Sequence, residues 1–477
     1  MSESLKKQAV KGTLWSSLER FSVQGVTFVV MIIMARLLTP ADYGLVGMLT
    51  VFIAVSQSLV DSGFSQALIR KQDRSQTDNS TAFFFNIAVG FLLYLVLFLA
   101  APLIASFYSE PILTPLLRVI GLSVLINSFT VVQRALLTVK IDFKTQAKAS
   151  MTAALISGAA GIYCAYAGFG VWAIAVQQLV NMLINALLLW LMSHWRPSAV
   201  FSWQSFRGLF SFGSKLAISG ILDSVYNNLY LIVIGKFFKA SELGFYTRAH
   251  QFAAFPSSNV TGILQRVTFP VLCTIQDDDT RLRDAYRRFL RLSAFVIFPL
   301  MMGMAALARP LILILLKEQW LPAAFLLQIL CFAMMWYPIH AINLNLLQVK
   351  GRSDIFLRLE VIKKIIGVVI MCITIPLGIT AMCIGMVASS LIALVINTHY
   401  TGKLIQTGFF VQMRDLLPIL LSSLAMGAAV YPLTWIISGN LVQLIAGTAA
   451  GIAVYTIIAI ATRSGELQEL KNIIRRK

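Results

Sequence analysis

The chain has 477 residues, 58% of them hydrophobic and 12% charged, with a mean hydropathy of +0.79. Such a composition excludes a soluble globular domain of this length and makes the bilayer the solvent. A net charge of +19 then has to be read against a membrane surface before a nucleic-acid partner is invoked, and its distribution argues for no nucleic acid.

Spanning a hydrocarbon core of roughly 30 Å takes about 20 consecutive apolar residues. Runs of that kind recur about fourteen times along the chain. They centre on 14–38, 45–68, 83–107, 116–137, 151–167, 171–192, 209–235, 243–269, 289–307, 321–347, 356–375, 381–400, 416–437 and 441–461. Hydrocarbon offers no partner to backbone groups, so runs this long and continuously apolar are expected to be helices, giving an all-α integral membrane protein. The first run has no small-residue cleavage site and is followed by further spans, so it reads as a retained helix.

With the N-terminus placed in the cytoplasm, about 29 of the 39 Lys and Arg fall on the cytoplasmic side, among them Lys6, Lys140, Lys350, Lys363, Lys364 and Lys477. Both termini are then cytoplasmic and the chain is a multi-pass inner-membrane protein. The five cysteines form no CxxC pair and read as small core residues, without a metal or disulfide role.

Compared with itself, the chain repeats with an offset of about 200 residues. Arg36-Leu37-Leu38 aligns with Lys236-Phe237-Phe238, and Asp42-Tyr43-Gly44 with Glu242-Leu243-Gly244. Further on, Leu136-Leu137-Thr138-Val139-Lys140 matches Leu346-Leu347-Gln348-Val349-Lys350. Six helices per repeat is an even number, so the two repeats insert in the same orientation, the parallel arrangement of transporters that carry substrate between two bundles. The expected organisation is helices 1–6 in 1–207, helices 7–12 in 208–403, an appended pair in 404–462 and a basic tail in 463–477. Segment 279–292 reads as an amphipathic extension of the ninth helix, and 466–477 as a surface helix.

Ionisable groups inside hydrocarbon are costly unless they face a bundle interior or water, so each is a candidate functional residue. Glu19, Arg20, Asp61, Lys215, Asp223, Asn227, Asn228, Arg248 and His250 fall in the first two helices of the two repeats. Asn127 and Arg134 in the fourth helix, with His340, Asn343 and Asn345 in the tenth, form a second equivalent set. Arg20, Arg134, Lys215 and Arg248 suit an anionic pyrophosphate, Arg offering forked donors and Lys a point charge. Asn227, Asn228 and Asn343 suit sugar hydroxyls, and Glu19, Asp61, Asp223, His250 and His340 supply titratable groups for coupling.

Structural readings compete with each of these. Arg20, Arg134 and Lys215 lie near helix ends, from which they can snorkel to headgroups. The asparagines can serve as interhelical hydrogen-bond glue and the histidines as satisfied core residues. Asp277-Asp278-Asp279, flanked by arginines, reads as a charged helix cap and not as a metal motif. GxxxxGK[ST], HExxH and GxSxG are all missing, which disfavours an ATP-driven pump or a membrane hydrolase.

An ordered set of segments resembles a known family: Ala35-Arg36-Leu37-Leu38-Thr39-Pro40 leading to Tyr43-Gly44, Ser62-Gly63-Phe64, Gln133-Arg134-Ala135-Leu136-Leu137, Asp142-Phe143-Lys144, Tyr246-Thr247-Arg248-Ala249 and Phe269-Pro270-Val271. These are similar to the polysaccharide transporter family, Wzx-like and of the colanic and teichuronic acid exporter type, within the multidrug/oligosaccharidyl-lipid/polysaccharide superfamily. The resemblance implies two six-helix lobes in a V around a cationic cavity, plus two extra helices. It implies a flippase, not an enzyme, that serves lipopolysaccharide or exopolysaccharide synthesis by carrying an undecaprenyl-pyrophosphate-linked oligosaccharide from the cytoplasmic to the periplasmic leaflet. Arg134 and Arg248 lie inside matched segments. No cofactor is expected beyond a coupling proton or sodium ion, and glycan polymerase and chain-length machinery are the expected protein partners. A multidrug antiporter, a lipid II flippase and a membrane glycan polymerase are the alternatives.

Overall fold

The computed structural model describes residues 22–61 and 63–469 and is helical throughout, with no strand among the described residues. Among the described residues ten helices are long and apolar enough to cross a bilayer, and a bent pair makes eleven. Within the described residues the apolar runs lie mainly on helix. Three of them lie on helices shorter or more polar than those ten: α1 (Ser22–Leu37), α11 (Ala240–Thr274) and α16 (Ser353–Thr374). α11 carries Arg248, His250 and Arg266 with two internal prolines, and α16 carries Arg358, Glu360, Lys363 and Lys364. Lys363 and Lys364 are thus embedded in α16, where Lys363 pairs with Glu360, and do not lie in a loop.

The chain packs as two compact units, Met1–Gly244 and Phe245–Lys477. In the first, α2 (Pro40–Asp61), α3 (Phe64–Arg70) and α4 (Gln76–Tyr108) follow in order. Ser75 and Asp78 form a reciprocal capping box at the start of α4, with Lys71 on Asp78 at 2.8 Å. Along α4, Leu92, Val96, Leu99 and Leu103 are exposed, as expected of a helix whose outer face meets lipid instead of water. α5 (Leu113–Ser128) and α6 (Val131–Val139) then lead to α7 (Phe143–Tyr166), which Asp142 caps through the Thr145 amide.

Ala149, Ala153, Ser157, Gly161 and Ala165 form a buried stripe of small residues at four-residue spacing on α7. It lets α8 (Val171–Met192) pack closely, because lipid supplies no hydrophobic drive and close backbone approach has to substitute for it. α9 (Trp203–Asn227) and α10 (Leu229–Phe237) are bent by 43° at Asn228. α9 meets the α2–α3 break where Gly63 and Gly213 bring backbone onto backbone: a Cβ on Gly63 would lie 2.9 Å from the Gly213 carbonyl oxygen.

The turns before α2 and α11 are built alike. Asp42 accepts from the Thr39 amide at 2.8 Å, and Glu242 accepts from the Lys239 amide at 3.1 Å. Gly44 lies against the backbone of Ala240, and Gly244 against the backbone of Pro40. These partners follow the offset that aligns the two segments in sequence. α6 ends at Val139 with Lys140 as its C-cap, and α15 (Tyr337–Val349) ends with Lys350 as its own.

In the second unit α12 (Asp279–Ala306) runs through the core, with Tyr286, Leu290, Ala294, Phe298 and Met301 fully inside. Asp278 caps it through the Thr280 and Arg281 amides at 3.1 and 3.0 Å, so the acidic triplet is a helix cap. The helix runs unbroken from this amphipathic start into its apolar part. α13 (Ala308–Leu316), α14 (Leu321–Met334), α15, α16 and α17 (Ile379–Ile405) follow, then α18 (Phe409–Val430), the short α19 (Leu433–Ile436) and α20 (Asn440–Ala461). Residues 465–469 are helical as well, and Arg288 and Arg291 of α12 pair with Glu469 and Glu466 there.

Candidate functional site

The first unit brings three polar candidates together. Asp61 is the last residue of α2, and its carboxylate accepts from Asn127 Nδ2 at 2.8 Å. Asn127 is buried at the end of α5, and its backbone carbonyl accepts from the Thr130 hydroxyl at 2.8 Å. Arg134, one turn into α6, is close enough to Asp61 to interact electrostatically. The break between α5 and α6 is what turns Asn127 and Arg134 toward one carboxylate. Gln133, next to Arg134, is fully buried with both amide atoms lacking a partner. Sequence reasoning passes over it, since an uncharged glutamine in an apolar run raises no alarm.

The remaining candidates of this unit lie along α9. Lys215 and Asp223 are exposed on that helix. Asn227 is the last residue of α9, and Asn228 forms its C-cap, donating to the Ser224 carbonyl at 2.8 Å. The two asparagines therefore mark the bend and do not continue a straight stripe. Glu19 and Arg20 lie outside the described residues.

Arg248 and His250 share α11 in the second unit. Arg248 is only 7% exposed and donates to the Gln251 side chain. His250 stacks on Tyr246, ring centroids 5.6 Å apart. His340, on α15, lies between Ser390 at 3.0 Å and Asn397 at 3.3 Å, both on α17. Because the Ser390 hydroxyl donates to the Ala333 carbonyl, it accepts from His340 Nε2 and leaves Nδ1 to accept from the Asn397 amide.

Asn343 sits one turn beyond His340 in a closed network. Its Oδ1 accepts from Tyr286 Oη at 2.8 Å, from Gln412 Nε2 at 3.1 Å and from Thr401 Oγ1 at 3.2 Å, while its Nδ2 donates to Gln412 Oε1 at 3.2 Å and to the Ile339 carbonyl at 2.9 Å. Four helices, α12, α15, α17 and α18, are joined at this one amide. With every donor and acceptor engaged, Asn343 has nothing left for a ligand in this arrangement and acts as interhelical glue. Asn345 likewise donates to Thr268 at 3.4 Å. Gln412, the other centre of the network, lies between apolar helices and is invisible to a search for charge.

Among the described residues no group of three or more His, Cys, Asp or Glu is placed to hold a metal ion. The groups the two units hold inside their helices are cationic and amide side chains, which can bind and orient an anionic or hydroxyl-bearing ligand.

The family model described as polysaccharide biosynthesis protein matches residues 33–325. The chain belongs to that family. Among its relatives, the succinoglycan biosynthesis transport protein ExoT of Rhizobium meliloti is 24% identical over 98% of this chain and 96% of its own. The lipopolysaccharide biosynthesis protein WzxC of Escherichia coli is 25% identical over 83% and 80%, and the teichuronic acid biosynthesis protein TuaB of Bacillus subtilis 26% identical over 74% and 73%. Among solved structures, the lipid II flippase MurJ in an inward closed conformation superposes with a TM-score of 0.77 at 15% identity, covering 94% of this chain and 99% of that one. An inward-facing multidrug transporter of the MATE family, within the MOP superfamily, gives 0.61 at 17% identity over 81% and 96%. Family membership and fold agree with the resemblance read from the sequence segments, and the chain is a multi-pass membrane protein.

Proposed function

We propose that this protein is a flippase for a lipid-linked saccharide, carrying an undecaprenyl-pyrophosphate-linked oligosaccharide from the cytoplasmic to the periplasmic leaflet by alternating access. The observation that carries the reading is ionisable groups held inside membrane-length helices, Arg248 within α11 and the Asp61–Asn127–Arg134 group, in a chain similar to a polysaccharide transport protein over nearly its whole length. Arginine keeps its charge in any environment, so it can meet a pyrophosphate that has shed its hydration, with paired donors matched to phosphate oxygens. The prenyl tail stays in hydrocarbon throughout, and only the headgroup has to be shielded during passage. Fourteen spans in two six-helix repeats plus a pair, with both termini cytoplasmic, belong to this proposal. So does coupling to a proton or sodium gradient through Asp61, Asp223, His250 or His340.

The test is export in a strain lacking the gene, complemented with Arg134→Ala or Arg248→Ala at wild-type protein level. The expected result is loss of surface glycan, with lipid-linked saccharide accumulating on the cytoplasmic leaflet. Wild-type glycan in both variants overturns the assignment of the arginines. Rescue of a strain depleted of its lipid II flippase, or resistance to toxic cations on expression, would instead assign the protein to one of the other activities that share this fold.

A further inference from the structure

A cavity of about 470 Å³ opens in the second unit among α12, α18, α20 and the turn that follows α20, apart from the residues discussed so far. Its polar end holds Arg291, Arg414, Asp415, Glu466 and Ser464. Its wall is apolar, with Phe295 of α12 and Ile419 of α18.

The hydrogen-bond inventory decides what such a cavity accepts. Asp415 is consumed by Arg287, which grips both its oxygens at 2.7 Å through Nε and Nη2. The Tyr455 hydroxyl donates to the Phe295 carbonyl at 3.1 Å, and the Ser422 and Thr462 hydroxyls donate to carbonyls of their own helices. Glu466 is 3.5 Å from Arg291 Nε, so these two charges offset one another. Arg414 is exposed and carries no ion pair among the described residues. Ser464 Oγ accepts from the Leu467 amide, which leaves its proton available. With Arg291 set against Glu466, what remains at the polar end is donors: the Arg414 guanidinium and the Ser464 hydroxyl. A site with cationic donors to spare takes an anion.

The surroundings say what the anion is attached to. Leu417 and Leu421 on α18, with Ile457 and Ile460 on α20, are exposed beside the opening and form a surface for hydrocarbon chains. Arg281, Arg283, Arg287 and Arg288 crowd the adjoining start of α12, marking the basic and hence cytoplasmic end of these helices. Basic pockets between membrane helices on that side recognise anionic lipid headgroups. We propose that this cavity seats the phosphate of an anionic glycerophospholipid of the cytoplasmic leaflet, Arg414 holding the headgroup with the Ser464 hydroxyl beside it while the acyl chains lie along α18 and α20.

A polyprenyl phosphate or free phosphate offers the same anionic group, so the experiment separates the three. The full-length protein, purified in detergent, is mixed with phosphatidylglycerol, phosphatidylcholine, undecaprenyl phosphate or inorganic phosphate, and bound molecules are counted by native mass spectrometry. Phosphatidylglycerol should be retained about fivefold over phosphatidylcholine, and Arg414→Gln should remove that preference, each basic residue near a membrane surface contributing about that factor. Arg281→Gln, outside the cavity on an exposed side chain, should leave retention unchanged, and thermal unfolding of both variants serves as the folding control. Equal retention of the two phospholipids, or undiminished retention by Arg414→Gln, overturns the proposal. So does displacement by equimolar undecaprenyl phosphate, which would give the cavity to the carried lipid, or by equimolar inorganic phosphate, which would make it a simple anion site. Binding is read without transport, so a negative result here leaves the flippase proposal standing.

Discussion

Gly44 and Gly244 give the sharpest test of how the starts of α2 and α11 meet. A methyl group on Gly44 would lie 2.5 Å from the Ala240 carbonyl carbon and 3.0 Å from its Cα; one on Gly244 would lie 2.7 Å and 3.1 Å from the same atoms of Pro40. Ordinary contact begins at about 3.4 Å, and the obstructing atoms are backbone, so no rotamer change relieves the clash. The carbonyl oxygens of Ala240 and Pro40 lie nearer still, so the helix starts have to separate by more than ~1 Å, and overpacking of this kind costs about 1–3 kcal/mol. Both glycines are helical, so alanine gains about 0.5–1 kcal/mol of helix propensity in the opposite direction. The steric cost exceeds that gain, and each single substitution should destabilise by about 1–2 kcal/mol. One separation relieves both clashes, however. The double variant therefore incurs the steric cost once and the propensity gain twice, and it should be no less stable than either single variant, a coupling of about 1–3 kcal/mol. Denaturant or thermal unfolding of the four proteins in detergent measures this directly. Additivity within about 0.5 kcal/mol, or a Gly44→Ala variant as stable as wild type, would refute the reciprocal contact.

Two further predictions concern buried polar groups. Asn343→Leu or Gln412→Leu should each cost about 1–3 kcal/mol, because the surviving partner is left without its hydrogen bonds, whereas the double substitution should cost less than the sum; strictly additive losses in unfolding experiments would show the two amides to be independent. Asp415→Asn leaves Arg287, about one third exposed, without its two-pronged partner, and should destabilise by about 1–3 kcal/mol after allowing for that exposure, with part of the loss restored by exchanging the two side chains. No recovery in the exchanged variant would place the effect in local packing.

Which segments enter the membrane is legible from composition alone, because hydrocarbon leaves an apolar run no alternative to helix. Where those helices break is not. The interruptions at Gly63 and Asn228 occur inside apolar runs, and they exist because something packs there or caps the chain: Gly213 against Gly63, and the Asn228 side chain on the Ser224 carbonyl. Single residues such as Gly63 and Asn228 carry the local signal, and only a partner distant in sequence gives it meaning. The candidate site divides along the same line. Asp61 and Arg134 stand out because ionisation in hydrocarbon is costly wherever it occurs, so the type of side chain is enough to find them. Gln133, Gln412 and the Arg287–Asp415 pair do not stand out, since an amide in a span is affordable and the worth of an ion pair depends on burial that only the fold supplies.

The caps at Thr39–Asp42 and Lys239–Glu242 show why the two repeated segments can diverge and still fold alike. The requirement at that turn is an acceptor at one position for the backbone N–H three residues earlier, and aspartate and glutamate both supply it. Identity can therefore drift at the cap while the bonding is kept. Two positions further on there is no such latitude. A backbone carbonyl occupies the space a Cβ would need, and glycine stands at both Gly44 and Gly244. The internal resemblance is thus strongest where backbone meets backbone and weakest where side chains of like chemistry can substitute for one another.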